Sequence, residues 1–215
     1  MKIKVCGLKD SQNVKDIASL APDYMGFIFY PPSPRHALGL SYLTVTKLPK
    51  EIKKVGVFVN ATREEILEYA DIHHLDAVQL HGDESPELCR RLQNQGLEVI
   101  KAFRIPENTD ESLYNRMVPY LDYVDLFLFD TAGKEAGGNG KKFNWDILNS
   151  YPFETPYLLS GGIGEEDIEI LKEGLPSKCI GIDINSKFEI SPGIKDVKKV
   201  ADFINRLRED TSKNC

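Results

Sequence analysis

Eight short runs of β-branched and aromatic residues recur along the chain, each followed by a Gly or polar turn and then, for most of them, by a segment of helical period. The runs are residues 3–6, 24–30, 54–59, 77–81, 99–104, 123–130, 157–160 and 179–184. Most are continuously apolar instead of alternating, the pattern of parallel strands covered on both faces. Val14, Ile17, Ala18 and Ala21 keep the i, i+3, i+4, i+7 spacing of a helix after the first run. Thr62-Arg63-Glu64-Glu65 reads as a capping box before the third helix. Residues 84–95 carry Leu88 and Leu92 under a charged face. Glu165, Glu166 and Asp167 place negative charge at the positive start of a helix containing Ile168 and Leu171. The last helix is expected over 195–208. After the sixth run only Trp145 to Asn149 reads as helical.

Eight strand–helix units at a spacing of roughly 25 residues predict an α/β fold, a (β/α)8 TIM barrel in one domain spanning 1–215. The structural rival is an open doubly wound sheet, which has fewer strands and carries a Gly fingerprint after the first of them. Cys6-Gly7-Leu8-Lys9 stands at that place, without GxGxxG, and no composition break suggests a second domain.

The bulk numbers exclude several classes. With 215 residues, 41% hydrophobic and 28% charged, the chain is an ordinary globular one. A net charge of -6 carries no sequence-wide footprint for nucleic acid, although one pocket can still be basic. No signal-peptide pattern and no apolar run long enough to span a bilayer is present, so a cytoplasmic protein with no membrane partner is expected. Cys6, Cys89, Cys179 and Cys215 make no CxxC or zinc-ribbon pattern and are expected as free thiols. His73 and His74 are adjacent, so on a helix they diverge by ~100° and cannot grip one ion. No metal site is expected.

In a barrel of this kind, active sites form at the C-terminal ends of the strands. Cys6 ends the first run. It reads either as a base or nucleophile, or as a small buried apolar residue. Asp130 ends the sixth run, where burial raises a carboxyl group toward useful general-acid values; the alternative is a turn cap. Asp125 falls on the opposite side of that strand and reads as structural. Arg35 lies in Tyr30-Pro-Pro-Ser-Pro-Arg-His36, a loop stiffened by prolines. A guanidinium held there suits a carboxylate or phosphate, and otherwise is a solvated surface group. Ser160-Gly161-Gly162-Ile163-Gly164 follows the seventh strand, where barrels commonly hold phosphate on backbone amides; a plain tight turn is the alternative. Asp183, Asn185 and Ser186 supply the neighbouring polar turn after strand eight. His81 either bonds substrate or caps a turn. The Gly-rich stretch Gly133 to Lys142 is no Walker A motif and reads as a lid or a mobile surface loop.

Taken in order, these motifs resemble the phosphoribosylanthranilate isomerase family of tryptophan biosynthesis. Lys4-Val-Cys-Gly7 resembles its opening motif, and Gly26-Phe-Ile-Phe29 with Ser33-Pro-Arg35 its second strand and anion-binding Arg. Gly56-Val-Phe58 and Gln79-Leu-His-Gly82 resemble strands three and four. Phe129-Asp-Thr131, Gly137-Gly-Asn-Gly140 and Phe143-Asn-Trp145 resemble the stretch with the catalytic Asp. Leu159-Ser-Gly-Gly-Ile163 and Asp183-Ile-Asn-Ser186 resemble the phosphate loops, and Ser191-Pro-Gly-Ile-Lys-Asp196 the start of the final helix. The set covers nearly the whole chain. One departure is Lys187-Phe188-Glu189, where the family usually has Gly after Asn185-Ser186. That leaves the backbone donors at the phosphate open and brings the Lys187 ammonium near it.

The resemblance implies an Amadori rearrangement of N-(5-phosphoribosyl)anthranilate by general acid–base catalysis. It implies Cys6 as base and Asp130 as acid, with a surrounding site that lowers the thiol pKa. Arg35 would hold the anthranilate carboxylate, and His81, Gly161, Gly162, Ile163, Asp183, Asn185 and Ser186 would bind substrate. No cofactor is implied, and the expected partner is a small phosphorylated substrate bound by a monomer or homodimer. Two rivals stand against this reading. An indole-forming synthase of the same pathway would carry an extra N-terminal segment and a Lys–Glu catalytic set. A barrel that only senses a phosphosugar would need neither Cys6 nor Asp130.

Overall fold

The structure, a computed structural model, describes residues 1–106, 112–131 and 144–209. All eight runs form strands: β1 (Lys2–Val5), β2 (Tyr24–Ile28), β3 (Lys53–Phe58), β4 (Ala77–Leu80), β5 (Glu98–Ile105), β6 (Leu126–Thr131), β7 (Tyr157–Leu159) and β8 (Cys179–Ile184). Each pairs in parallel with the next, and β8 closes onto β1 through Lys2↔Gly181 and Val5↔Ile184. A closed barrel leaves no exposed edge. The open-sheet alternative is thereby excluded.

Alternation along the strands divides the apolar residues into two layers. Ile3 and Val5 of β1, Phe27 of β2 and Phe127 and Phe129 of β6 point outward, into the core shared with the helices. Tyr24, Val55, Ala77, Ile100, Ala102, Leu126, Leu128 and Leu158 pack inside the barrel. The strands need apolar residues on both faces, which is why they read as continuous runs.

The outer layer contains α1 (Ser11–Ala18), α2 (Tyr42–Thr46), α3 (Arg63–His73), α4 (Pro86–Gln93), α5 (Ser112–Met117), α6 (Ile168–Glu173) and α7 (Val197–Arg208). The Thr62 capping box is formed, with Thr62 Oγ1 accepting from Glu65 N and the Glu65 carboxylate accepting from Thr62 N. Several helix boundaries differ from expectation. Ala21 lies beyond α1, in a turn at φ 50. Glu84 precedes α4, because its carboxylate turns back to Lys101 and to the amides of Asn60 and Gly82. Residues 145–150 form a 3-10 helix, and another 3-10 turn (Glu165–Asp167) leads into α6. Lys195 does not open the last helix. It belongs to a hairpin of β9 (Glu189–Ser191) and β10 (Ile194–Lys195), and Asp196 caps α7 in its place. The Gly133–Lys142 stretch, Phe143 and Cys215 lie outside the described residues.

At the N-terminal rim one device repeats. Asp23, Asp76 and Asp125 each directly precede an even-numbered strand. Each accepts at 2.8 Å from a backbone amide of the preceding odd-numbered strand: Ile3, Lys54 and Val99 respectively. Asp125 is thus structural, as its place on the side of the run opposite Asp130 suggested.

Candidate active site

At the other rim the strand ends surround a cavity lined by Cys6, Arg35, Gln79, His81, Asp130, Gly161, Gly162, Ile163, Asp183, Asn185 and Ser186. The structure therefore brings Cys6, Arg35, His81, Asp130, Gly161, Gly162, Ile163, Asp183, Asn185 and Ser186, the catalytic and substrate-binding candidates of the sequence, to one opening. An adjoining cavity of about 620 Å³ shares Tyr30, Val59 and His81 with it and adds Arg104 and Arg116.

Cys6 directly follows β1, and its amide continues the ladder by donating to Ile184 O at 3.0 Å. The chain then turns through Gly7 at φ 77. A Cβ on Gly7 would stand 2.6 Å from Asn185 Oδ1 and 2.9 Å from Arg35 Cδ, so only glycine lets these three segments meet. Lys4, two residues before Cys6, is fully buried inside the barrel and donates to Asp183 Oδ1 at 3.0 Å. Burial pushes the Cys6 thiol above its ordinary value, against the opposing pull of Lys4 and, more weakly, Lys195. The expected lowering is overturned: the sulfur loses more from desolvation than its two cations return. Burial likewise raises Asp183, against the pull of Lys4. Burial works to lower Lys4, but the Asp183 carboxylate and Cys6 outweigh it and keep Lys4 raised.

Arg35 is pinned more firmly than its loop suggested. It is buried, and its Nε and Nη2 meet Glu189 in a fork at 2.8 and 2.7 Å. Glu189 also accepts from Lys195 Nζ at 2.7 Å, and Lys195 donates to Asn185 Oδ1 at 2.6 Å. Burial raises Glu189, but Arg35 and Lys195 outweigh it and hold the carboxyl below its ordinary value. Arg35 is therefore neither a free surface cation nor an isolated anion receptor. It reaches the cavity from a carboxylate clamp that fixes its direction.

Across the cavity, Asp130 lies near the end of β6, with its Oδ2 3.4 Å from His81 Nε2. Gln79 Nε2 and His81 Nδ1 are 2.9 Å apart. With the amide assigned this way, Gln79 donates to Nδ1 and leaves the other ring nitrogen protonated toward Asp130. Gln79 Oε1 and His81 Nε2 are buried polar atoms without a hydrogen-bond partner in the described structure. Both line the same opening, where a polar ligand would satisfy them.

Gly161 and Gly162 follow β7 at φ 92 and 70. A Cβ on Gly161 would collide with Thr131 at 2.3 Å, so the loop can lie against β6 only as glycine. Among the described residues nothing accepts from the amides of Gly161, Gly162 or Ile163. The next amide, Gly164 N, is already bound to Asp167 Oδ2 at 2.8 Å. An anion would thus meet the glycine loop itself, not an extended helix start. Lys187 lines the cavity and pairs with Glu166 at 3.1 Å. No group of three or more His, Cys, Asp or Glu converges as a metal site among the described residues.

Reasoning from the sequence missed Lys4, Glu189 and Lys195 as site residues. Lys4 had a readable signal, since a residue two before a rim cysteine on a strand shares its face. Glu189 and Lys195 had none, because the β9–β10 hairpin alone folds them under Arg35.

The family model described as N-(5'-phosphoribosyl)anthranilate (PRA) isomerase matches residues 3–206. A curated N-(5'-phosphoribosyl)anthranilate isomerase from Parabacteroides distasonis is 45% identical, over 96% of this chain and 93% of its own. The one from Phocaeicola vulgatus is 42% identical, over 97% and 98%. The crystal structure of phosphoribosyl anthranilate isomerase from Thermotoga maritima matches with a TM-score of 0.82 at 32% identity, covering 97% of this chain and 99% of that one. A solved phosphoribosyl anthranilate isomerase in complex with reduced 1-(o-carboxyphenylamino)-1-deoxyribulose 5-phosphate matches at 0.79 and 30% identity, with the same coverage. With closed barrel, rim residues and near full-length similarity in agreement, this chain belongs to the N-(5'-phosphoribosyl)anthranilate isomerase family.

Proposed function

We propose that this enzyme carries out the Amadori rearrangement of N-(5-phosphoribosyl)anthranilate in tryptophan biosynthesis, with Asp130 as general acid and Cys6 as general base. The observation that carries the assignment is their placement: two proton-transfer groups, one directly after β1 and one on β6, line one cavity. Asp130 gives a proton to the furanose oxygen, the ring opens, and a protonated Schiff base forms. Cys6, as thiolate, then removes the C2′ proton to give an enolamine, which tautomerises to 1-(2-carboxyphenylamino)-1-deoxyribulose 5-phosphate. Both groups act within one bound conformer, so positioning adds to the acid–base contribution.

The phosphate takes the unengaged amides of Gly161, Gly162 and Ile163, beside Asn185 and Ser186. Arg35 faces the anthranilate carboxylate, with Glu189 keeping the guanidinium in place. Asp183 and His81 are placed to meet the sugar hydroxyls between these ends. The relative solved with reduced 1-(o-carboxyphenylamino)-1-deoxyribulose 5-phosphate supports a ligand that has both ends. The enzyme works in the cytoplasm as a monomer or homodimer. That state is supported by a relative whose structure is described as monomers generated from a dimeric isomerase. No described helix is long and apolar enough to cross a membrane.

Loss of anthranilate-type fluorescence on conversion of phosphoribosylanthranilate tests the reading. Turnover of that substrate by the purified chain supports it. Phosphosugar binding without turnover would point to a sensor, and release of an indole product from the ketose amine to a synthase.

A further inference from the structure

Lys4 is an ammonium enclosed in the middle of a barrel whose other interior residues are mostly apolar. Ile3 and Val5 point to the outer core, so Lys4 and Cys6 share the inward side of the first strand. Both side chains converge on Gly26 of β2. A Cβ built there would stand 2.7 Å from Cys6 Sγ and 3.2 Å from Lys4 Nζ, so glycine at this point makes room for the two together. Lys4 holds Asp183 at 3.0 Å, and its charge pulls the Cys6 thiol toward ionisation.

A structural ion pair accounts for Lys4 and Asp183 but not for the sulfur beside them. Apart from Lys187, which lines the cavity but is paired with Glu166, seven charged or titratable groups surround Cys6. They are Lys4 from β1, Asp183 from β8, Glu189 from β9, Lys195 from β10 and Arg35 from the loop after β2, with His81 and Asp130 across the cavity. Lys4, Lys195 and Arg35 are positive, while Asp183 and Glu189 are negative. Those five sum to one positive charge, which a thiolate at Cys6 brings to zero. Arg35 and Lys195 are both engaged by Glu189, and Lys4, itself paired with Asp183, is the cation that acts most strongly on the sulfur.

We propose that Lys4 is a positioning residue for proton abstraction: its ammonium, fixed by Asp183, shares the space over Gly26 with the Cys6 sulfur and stabilises the thiolate that takes the C2′ proton. In that step the C2′–H bond breaks and an S–H bond forms. The C2′–H electron pair becomes the C1′–C2′ double bond, and the C=N pair returns to nitrogen. The inference rests on Cys6 being the base.

The test is the pH dependence of iodoacetamide alkylation at Cys6, followed on the Cys6 peptide by mass spectrometry so that other thiols do not contribute. In Lys4→Met the midpoint is expected to rise by about one unit or more. Its kcat at pH 7 should fall about tenfold or more, with KM within about threefold. Lys4→Arg keeps the charge and should stay near wild type in midpoint. Because Lys4→Met strands the Asp183 carboxylate, Lys4→Met/Asp183→Asn is also compared with Asp183→Asn alone. An unchanged midpoint in both comparisons, or a loss confined to KM, overturns the proposal. Alkylation does not depend on turnover, so this outcome is separable from a failure of the base assignment, which the kcat of Cys6→Ala decides.

Discussion

The two rims of the barrel use aspartate in opposite ways. At the N-terminal rim, Asp23, Asp76 and Asp125 each spend an oxygen on a backbone amide of the neighbouring strand. At the C-terminal rim, Asp183 and Asp130 face titratable side chains, Lys4 and His81, around an opening. The residue type is the same. What differs is whether the carboxylate is tied to a fixed amide, as all three are even though Asp76 also pairs with Lys54 at 2.7 Å, or meets side chains around an opening. The first arrangement locks strand register, and the second leaves proton affinity adjustable by burial and nearby charge.

Four measurements can break or sharpen that contrast. The largest effect is expected at the upper rim, where Cys6→Ala or Asp130→Ala should reduce kcat ~10²-fold or more in a folded protein. Steady-state kinetics with either variant near the wild-type kcat would remove the chemical role of that rim. Next comes Arg35→Ala, which should raise KM about tenfold while changing kcat less, because it removes a charge-assisted grip on one end of the substrate. An unchanged KM would show that Glu189 fully occupies the guanidinium. At the lower rim Asp125→Ala should cost about 1–2 kcal/mol through the stranded Val99 amide. That corresponds to roughly 2–8 °C in Tm, and kcat should not change. A kinetic defect without a change in Tm would contradict the division between rims.

The smallest effect at neutral pH concerns Cys89 and Cys179, thiols away from the cavity. Burial raises Cys89 to about 12 and Cys179 to about 11, both above the free thiol. Both values lie above those of the unfolded chain, so the associated stability is complete below about pH 9 and is lost as pH rises through 11 and 12. Denaturant midpoints should fall over that window, and Cys89→Ala should flatten the fall. A slope unaffected by Cys89→Ala would assign the alkaline loss to other groups.

Much of this was legible along the chain because the signals are local. Continuous apolar runs mark strands buried on both faces, and Thr62 with Glu65 marks a helix start within four residues. The closed order of strands followed from their number. The five residues of α2 and the six of α5 are too short to show a period, and they lack the acidic start that marks the equally short α6. Glu84 and Lys195 were misplaced at helix ends, since each leaves the local pattern to meet an ion-pair partner distant in sequence or folded back by a turn.

The site shows the same division. The order of Cys6, Arg35, His81, Asp130, the Gly161–Gly162 loop and Asp183 along the chain was enough to mark the strand ends and, through the family resemblance, to give roles to each. Only the tertiary structure decided the electrostatics. It closed β8 onto β1 and so put Asp183 against Lys4 beneath Cys6, and it folded the β9–β10 hairpin so that Glu189 clamps Arg35. It also reversed the expected direction at the thiol, because desolvation depends on everything that encloses the sulfur. Residue type and spacing are properties of the chain, whereas burial and Coulomb interaction depend on distances between residues as far apart as 4 and 183.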